Sequence, residues 1–481
     1  MKQNLILLSI ITLSFFSVKA QDNCDCESYF KWLKTTFEEN DAGFAYALEK
    51  KEEGAYKLHN ESFLKKVKSV NDNTRCTKLL SEWLTFFRSG HLSINRINGT
   101  SEQLSEQDII KQFEHWETAT INLPEFENYL NTKSYQDYEG IWQSGVYKIA
   151  IKKDGDYYIG SIIEADGVYW RKGQVKLKIY TDGNTTKSTF YYRDHSAHEF
   201  DQVVLSENNF LQMGTVNLIR VNAELNPSQK QHLKLISANK PFIESISKNT
   251  LILRIPSFSF SEKEAINRVI LEHKEQILKT ENLIIDIRGN GGGSDSSYDE
   301  ILPFLYTNPI RVVGTKMLST TLNNQRMLNS KDTHAHSDEE KKQYQAAYDT
   351  LNKHLGEFVH LGTSKVSIKT LETVHAFPKN IGIIINEGNG STSEQFLLAA
   401  KQSKKVKLFG TTTAGILDIS NMHFVNSPCN EFRLGYSLSK SMRIPEMAID
   451  GKGISPDYYI DKSIASDKWV EFVEKILNAK F

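Results

Sequence analysis

Hydrophobic residues recur along the chain with three successive spacings, and each spacing predicts a different kind of structure. From residue 27 to about 130, large apolar side chains recur every three or four positions, which is typical of amphipathic helices. From about 135 to 221 the spacing becomes two, and Asp-Gly turns separate the runs, which predicts antiparallel hairpins. From 249 onward, continuous apolar runs alternate with helical segments. This last pattern predicts an α/β layer with a mainly parallel sheet.

These changes in spacing divide the chain into segments. The predicted segments are a secretory signal peptide (1–20), an N-terminal helical region (21–130), an antiparallel β domain (135–225) and an α/β core (245–481). The β domain is expected to be a small barrel or sandwich inserted between the helical region and the core. The polar residues 226–230 are interpreted as a joint between the β domain and the core.

The N-terminus has the pattern of an export signal. Lys2 precedes an apolar run over residues 5–18, and small residues stand at Val18 and Ala20, followed by Gln21. Cleavage is expected after Ala20, which predicts a periplasmic or extracellular protein. The run is short for a membrane span, and no later stretch has the roughly 20 apolar residues that one needs. The mature chain is therefore expected to have no integral membrane segment.

Composition and charge narrow the range of partners and cofactors. Of 481 residues, 39% are hydrophobic and 24% charged, which is a globular mixture, and the net charge is −1. Without a basic field, no nucleic-acid partner is expected. The cysteines are Cys24, Cys26, Cys76 and Cys429. An oxidising compartment permits a bridge from Cys26 or Cys24 to Cys76, but spacing does not decide the pairing, and no zinc pattern is present.

Two loops leave apolar strands and carry the candidate chemistry. The first, residues 286–293, reads Asp-Ile-Arg-Gly-Asn-Gly-Gly-Gly, and such a loop lets backbone N–H groups approach a ligand or an oxyanion. The second, residues 385–396, places Ser391 between a strand exit and the first turn of a helix. There a serine could be an exposed nucleophile. The alternative is an N-cap, with Glu394 completing a capping box.

Taken together, the two loops resemble the tail-specific, or C-terminal-processing, serine peptidases. The motif Asp-[Ile/Leu]-Arg-x-Asn-Gly-Gly-Gly of that family matches residues 286–293, and its Ser-x-Ser-Glu motif matches residues 391–394. The resemblance implies a ClpP/crotonase-like spiral βαβ core and peptide or protein substrates. It also implies Ser391 as nucleophile, without a metal or other cofactor.

The general base implied by the resemblance is a histidine. Well-known members place a lysine downstream of the serine, but residues 410–418 contain none. The tricorn-like branch uses an upstream histidine, and His91 matches it after an amphipathic helix that ends at Gly90. The orienting acid of that branch matches Asp450, before Gly-Lys-Gly-Ile-Ser-Pro-Asp. The backbone N–H groups of Gly292 and Thr392 are the implied oxyanion donors.

Several alternatives remain open in the sequence. His423 is the main rival to His91 as base, and a metal role is weighed for two histidine pairs, His195 with His198 and His334 with His336. No carboxylate-binding loop of the PDZ type is recognisable in the β domain, although its aromatic residues could bind a ligand. Two other functions compete with a peptidase: an inactive peptidase-like binding protein, and a hydrolase of acyl esters.

Overall fold

The computed structural model describes residues 24–52, 54–97, 105–133, 137–331, 337–461 and 463–479. The predicted signal peptide lies outside these described residues, as do His334 and His336. Within the described ranges, no helix combines the length and apolar character needed to cross a membrane.

The chain alternates between helical and extended elements. The helices are α1 (Cys26–Asn40), α2 (Phe44–Leu48), α3 (Ala55–Val67), α4 (Asn73–Thr85), α5 (Glu106–Gln112), α6 (Leu123–Thr132), α7 (Pro227–Ser237), α8 (Lys263–Ile277), α9 (Leu302–Leu305), α10 (Thr321–Lys331), α11 (Asp338–Asn352), α12 (Thr392–Ala400) and α13 (Trp469–Asn478). Short 3₁₀ turns cover Phe260–Glu262, Asp295–Tyr298 and Ser466–Lys468.

The strands fall before, between and after these helices. They are β1 (Ser93–Arg96), β2 (Gly140–Ser144), β3 (Tyr147–Asp154), β4 (Tyr157–Glu164), β5 (Val175–Asp182), β6 (Thr185–Tyr191), β7 (Ala197–Phe200), β8 (Val204–Ser206), β9 (Phe210–Met213), β10 (Val216–Arg220), β11 (Phe242–Ser245), β12 (Thr250–Arg254), β13 (Asn282–Asp286), β14 (Ile310–Val313), β15 (Thr315–Leu318), β16 (Phe358–Val359), β17 (Val366–Lys369), β18 (Asn380–Ile385), β19 (Val406–Gly410), β20 (Ile419–Asn426), β21 (Phe432–Ser441) and β22 (Tyr458–Tyr459).

The described residues form two compact units. The first unit combines the described parts of 1–99, 318–357 and 421–438, and the second combines those of 100–317, 358–420 and 439–481.

The first unit is built around an aromatic core between α1, α3 and α4. Phe37 lies 4.7 Å from Phe87 and 5.8 Å from Trp83, measured between ring centroids. These side chains are buried, which follows from their spacing along two amphipathic helices. Strand β1 pairs antiparallel with the start of β21 in this unit, with Ser93 opposite Gly435.

Two disulfides join distant parts of the first unit. Cys26 pairs with Cys76 and so ties α1 to α4, which was one of the pairings that the sequence left open. Cys24 pairs with Cys429, 405 residues away in sequence. The sequence did not indicate this second bridge, because nothing in local spacing relates residues so far apart.

The second unit contains the predicted α/β core. Its six-stranded sheet has the order β11-β12-β13-β18-β19-β22, and all neighbours are parallel except β11 and β12. Helix α8 connects β12 to β13, and α12 connects β18 to β19. Strands β12 and β13 are buried along their whole length, because apolar clusters cover both faces of the sheet. The loops that follow β13 and β18 therefore emerge at the same edge.

The antiparallel β domain is also confirmed, as a nine-stranded sheet in the order β7-β6-β5-β4-β3-β2-β10-β9-β8. Gly155 and Gly183 adopt a φ of 59° in the hairpin turns at which the Asp-Gly sequences predicted them. The polar residues 226–230, interpreted as a joint, form the first turn of a helix. Asn226 forms a capping box with Gln229 and starts α7, with Pro227 in the first turn.

A lysine is buried inside the β domain among aromatic rings. The Lys176 side chain is 1% exposed, and its Nζ lies 3.8 Å from the ring centroid of Trp170 and 4.4 Å from that of Tyr147. Its Nζ donates a hydrogen bond to the carbonyl of Tyr192 at 3.2 Å. Burial lowers the pKa of Lys176 to about 7, since desolvation disfavours the charged amine.

We expect Lys176→Met to raise the free energy of unfolding by about 1–3 kcal/mol at pH 7, because a buried charge is replaced by an apolar side chain of similar length. The unfolded lysine binds a proton up to about pH 10.4, whereas the folded one releases it near 7. The wild type therefore gains stability as the pH rises between these values. Urea unfolding at pH 6, 8 and 10 should show the advantage of the variant shrinking, and an advantage that grows would contradict this account.

Candidate active site

A buried charge cluster shapes the base of the glycine-rich loop after β13. Asp286 accepts hydrogen bonds from Arg288 Nη2 at 2.7 Å and Nε at 3.1 Å, as well as from its backbone N–H at 3.0 Å. This buried pair gives both residues a structural role at the start of the loop. Arg254, at the end of β12, adds a second guanidinium at 3.4 Å, which the sequence did not reveal. These interactions lower the pKa of Asp286 although it is fully buried.

Two asparagines hold the two candidate loops against each other. Asn389 Nδ2 donates to the carbonyls of Asn290, at 3.2 Å, and Ile287. Ser393 Oγ donates to the carbonyl of Asn290 at 2.7 Å. Both asparagines are fully buried, so these bonds replace solvent at a buried loop-to-loop contact. The loop after β13 and the loop after β18 thus form one interlocked structure.

Ser391 lies at the turn from β18 into α12, and its backbone is strained. Its φ of 55° and ψ of −124° fall in a region that is costly for residues other than glycine. Ser391 is partly exposed, whereas the next six residues, 392–397, are buried. A serine presented on a strained strand-to-helix turn has the geometry of a nucleophile elbow.

The capping interpretation of Ser391 is wrong. Its side chain makes no capping hydrogen bond. The Glu394 carboxylate accepts from the backbone N–H groups of Gly415 at 2.7 Å and Ile416 at 2.9 Å, and from the Thr413 hydroxyl. Glu394 therefore fixes the loop after β19, which contains no lysine. Burial raises the pKa of Glu394.

Gly292 lies directly against the serine. A Cβ at Gly292 would come within 2.8 Å of Ser391 Cβ and of Thr392 N, so only glycine fits, and its φ is 107°. The Gly292 N–H donates to Asn290 Oδ1 at 3.0 Å. The structure thus brings Gly292, Ser391 and Thr392 together. For Gly292 to serve as an oxyanion donor, its N–H has to leave Asn290.

A further acid, Asp295, adjoins this cluster. The Asp295 carboxylate accepts a hydrogen bond from the Thr392 side chain, and partial desolvation by the surrounding loop raises its pKa. Sequence reasoning missed Asp295 because it lies in a polar stretch, Ser-Asp-Ser-Ser, that resembles an ordinary turn. Its place beside Thr392 makes it a support for the residue that follows the serine.

Asp450 fixes the start of β20 by accepting hydrogen bonds from backbone N–H groups. Its Oδ1 accepts from the N–H groups of Leu417 and Asp418, both at 2.6 Å, and its Oδ2 accepts from that of Ile419 at 3.1 Å. Burial raises its pKa. A carboxylate offers about four acceptor positions, so these amides do not saturate it.

His91 lies in the first unit, on a loop between α4 and β1. Its carbonyl accepts from Arg88 Nη2 at 3.1 Å and from Ser437 Oγ at 3.3 Å, and its φ is 55°. Arg88 also forms a bidentate ion pair with Asp41 at 2.7 and 2.6 Å. A charged pair therefore fixes the backbone of His91, as a positioned imidazole requires.

His423, the rival base, lies in the first unit on β20. Its ring meets that of Tyr436 edge-on at 5.8 Å between centroids. Burial, with Arg326 nearby, lowers its pKa.

The histidines of the β domain pack against aromatic rings. His195 is stacked between Phe113 and Trp170, each 3.8 Å away between centroids. His198 lies 4.6 Å from the ring of Phe200. Among the described residues, no cluster of three or more His, Cys, Asp or Glu side chains is arranged to hold a metal ion.

Comparison with known protein families finds a match for the α/β core. Residues 249–460 match the model of peptidase family S41. They form an S41 peptidase domain. Mature CPAF complexed with lactacystin is similar in structure, with 12% identity over 94% of this chain and 97% of CPAF and a TM-score of 0.51. The photosystem II D1 C-terminal processing protease is 13% identical over 94% and 97%, with a TM-score of 0.38. No curated protein matches the chain in sequence.

The family assignment confirms the recognition of a C-terminal-processing type of peptidase and the ClpP/crotonase-like core with its inserted β domain. Members of S41 are serine peptidases, so the domain is a peptidase domain. The serine, histidine and acid named from the motifs remain predictions, and the S41 fold alone does not assign them.

Strain at Ser391 of the S41 domain leads to a stability prediction. Ser391→Gly should unfold with a free energy about 1 kcal/mol higher than Ser391→Ala, because glycine adopts the positive φ without strain. Denaturant unfolding of both variants measures the difference. At Ser403, which lacks a positive φ, glycine should instead be less stable than alanine. Equal stability of the two Ser391 variants would show that the turn is not strained.

Proposed function

We propose that the chain is an exported serine peptidase that forms an acyl-enzyme on Ser391. The observation that carries this proposal is the strained, non-capping Ser391 with Gly292 packed against it. The close approach of Gly292 puts its backbone beside Ser391, where the carbonyl of a bound substrate would lie. The S41 domain supports an amide, and hence a peptide or protein, as the substrate.

In this mechanism His91 is the general base. Its imidazole takes the Ser391 hydroxyl proton while Oγ bonds to the scissile carbonyl carbon. The carbonyl oxygen becomes an oxyanion, for which the N–H groups of Thr392 and Gly292 are donors. The imidazolium then gives its proton to the leaving amine as the C–N bond breaks. Water releases the acyl group by the same steps in reverse order.

Two features of the chain support the roles of His91 and Asp450. The Arg88–Asp41 ion pair fixes the His91 backbone, which lowers the cost of orienting an imidazole. Asp450 retains acceptor capacity after its backbone bonds, so it can accept the second N–H of the imidazole. A carboxylate in that role selects the tautomer and stabilises the imidazolium.

Export is part of the same proposal. The N-terminal pattern that ends at Ala20 supports a cleaved signal peptide. Two disulfides, Cys24–Cys429 and Cys26–Cys76, support an oxidising compartment, since such bonds are rare in the cytosol. The proposed location is the periplasm or the exterior.

Labelling with a fluorophosphonate probe tests the nucleophile directly. We expect the mature wild-type chain to be labelled and Ser391→Ala to remain unlabelled, because the probe reacts only with an activated hydroxyl. Ser403→Ala is the matched control and should be labelled like the wild type. Labelling is read by gel fluorescence and by the mass of the modified peptide.

The outcomes separate the competing functions. A folded wild type that is not labelled would favour the inactive binding protein. Labelling that survives in Ser391→Ala would assign the nucleophile elsewhere. A labelled chain that turns over acyl esters and no peptide would make it an ester hydrolase.

A further inference from the structure

A cavity of about 660 Å³ lies in the second unit at the carboxyl edge of the parallel sheet. Its floor contains Arg254 from the end of β12, Arg288 and Gly289 from the loop after β13, and Asn386 after β18. This edge of a parallel sheet is a common place for ligands, and the volume suits a small organic molecule. It is formed apart from Ser391 and is not explained by the proposed hydrolysis.

The floor of this cavity carries an excess of buried positive charge. Arg254 and Arg288 are 5% and 7% exposed, and one carboxylate, Asp286, lies between them, so the cluster has a net charge of +1. Guanidinium groups stay protonated in proteins. His232, which also lines the cavity, does not add charge at neutral pH, because burial and Arg288 lower its pKa to about 3.

The acidic residues of the cavity wall do not offset this charge. Asp201, Glu387 and Asp461 line it, but all three are exposed and therefore well solvated. The Arg254 Nε is buried and has no hydrogen-bond partner among the described residues. A buried donor without an acceptor is destabilising, and more so when it is charged. An anion in the cavity would balance the excess positive charge of Arg254 and Arg288.

The walls indicate what kind of anion fits. Trp469, Ile236 and Phe200 supply apolar surface, and the Arg288 guanidinium lies 5.4 Å from the Trp469 ring centroid. An inorganic ion would make no apolar contact with these walls. A carboxylate matches the planar guanidinium, and an apolar body attached to it would cover the walls.

We propose that this cavity binds a ligand with one carboxylate and an apolar body, held by Arg254 and Arg288. Two sources have this chemistry: a free organic acid and the C-terminal end of a polypeptide. Gly289 N–H donates to Asn386 Oδ1 at 2.8 Å, so the ligand would lie against the first residues of both interlocked loops. The site does not depend on which residue is the catalytic base.

Isothermal titration of the full mature Ser391→Ala chain tests the site without turnover. The probe is N-acetyl-L-phenylalanine, and its amide is the matched uncharged ligand. We expect a Kd on the order of 1 mM or tighter for the acid and binding at least about tenfold weaker for the amide. Equal binding of acid and amide, or no binding of the acid to the folded chain, would overturn the proposal.

Two added substitutions locate the binding. Arg254→Met removes one of the two guanidinium groups and leaves the Asp286–Arg288 pair intact, and we expect about tenfold weaker binding of the acid. Thr215→Phe, at an exposed position on the wall, fills the cavity without touching the charge cluster and should weaken binding as much. If Arg254→Met does not fold, the result for Thr215→Phe alone tests whether the acid binds in this cavity. Arg96→Met, in the first unit, should bind normally, and unchanged binding in Thr215→Phe would refute the location.

A pair of decapeptides ending in phenylalanine distinguishes the two sources. If the free-acid peptide binds more tightly than N-acetyl-L-phenylalanine, the natural ligand is a polypeptide C-terminus. If it binds more weakly, the ligand is a free acid. Both outcomes support the site when the amidated peptide binds at least about tenfold more weakly than its acid.

Discussion

Replacing His91 with alanine should lower kcat for peptide hydrolysis by roughly 10⁴–10⁶-fold, since loss of the base from a serine triad removes most of its effect on the chemical step. KM should change little, because an imidazole that only moves a proton contributes little to substrate binding. The measurement is steady-state hydrolysis of a fluorogenic peptide mixture, with fluorophosphonate labelling as a second readout that needs no knowledge of the substrate.

His423 provides the matched control for this experiment. His423→Gln removes the other candidate imidazole from the same unit, and we expect it to retain kcat within about tenfold, a loss too small for the base of a triad. If His423→Gln loses activity and His91→Ala keeps it, the base assignment is reversed. The pH profile adds a check, because burial lowers the pKa of His423 and would move its acid limb below the usual histidine range.

Replacing Asp286 with asparagine should lower the free energy of unfolding by about 3–5 kcal/mol. The carboxylate is 1% exposed and neutralises part of the charge of Arg254 and Arg288. Asparagine is similar in size but neutral, so it leaves two guanidinium groups buried without a counter-charge. Urea unfolding at neutral pH measures the loss.

An exposed ion pair serves as the comparison for Asp286. Asp299 pairs with Lys369 at 2.7 Å, with both side chains more than a third exposed. Asp299→Asn should therefore cost less than about 1 kcal/mol, since solvent screens that pair. Similar losses in the two variants would mean that the Asp286 cluster is not electrostatically coupled.

Much of the fold follows from local sequence patterns. Continuous apolar runs predicted β13 and β18, because strands of a covered parallel sheet need apolar residues on both faces. The Asp-Gly turns predicted hairpins of the β domain, at Gly155 and Gly183. The motif around Ser391 drew attention to a position whose strained backbone only the structure reveals.

The features that sequence reasoning missed depend on contacts between distant residues. Arg254 joins Asp286 from 32 positions away, and the only local sign was a charged residue closing an apolar strand. Strand β1 is short and polar, and it is defined by its pairing with β21 rather than by its own pattern. The capping interpretation of Ser391 failed because Glu394 turns to the loop at residues 413–416, which local spacing cannot show.

The bond between Cys24 and Cys429 has a consequence for the fate of a nicked molecule. It closes a covalent ring that contains most of the chain, including Ser391 and His91. A peptide bond hydrolysed anywhere between Cys26 and Cys429 would open the ring without releasing a fragment. Such a molecule would keep its full mass until it met a reductant. The ring therefore allows the chain to be cut once by a peptidase and still remain a single covalent molecule.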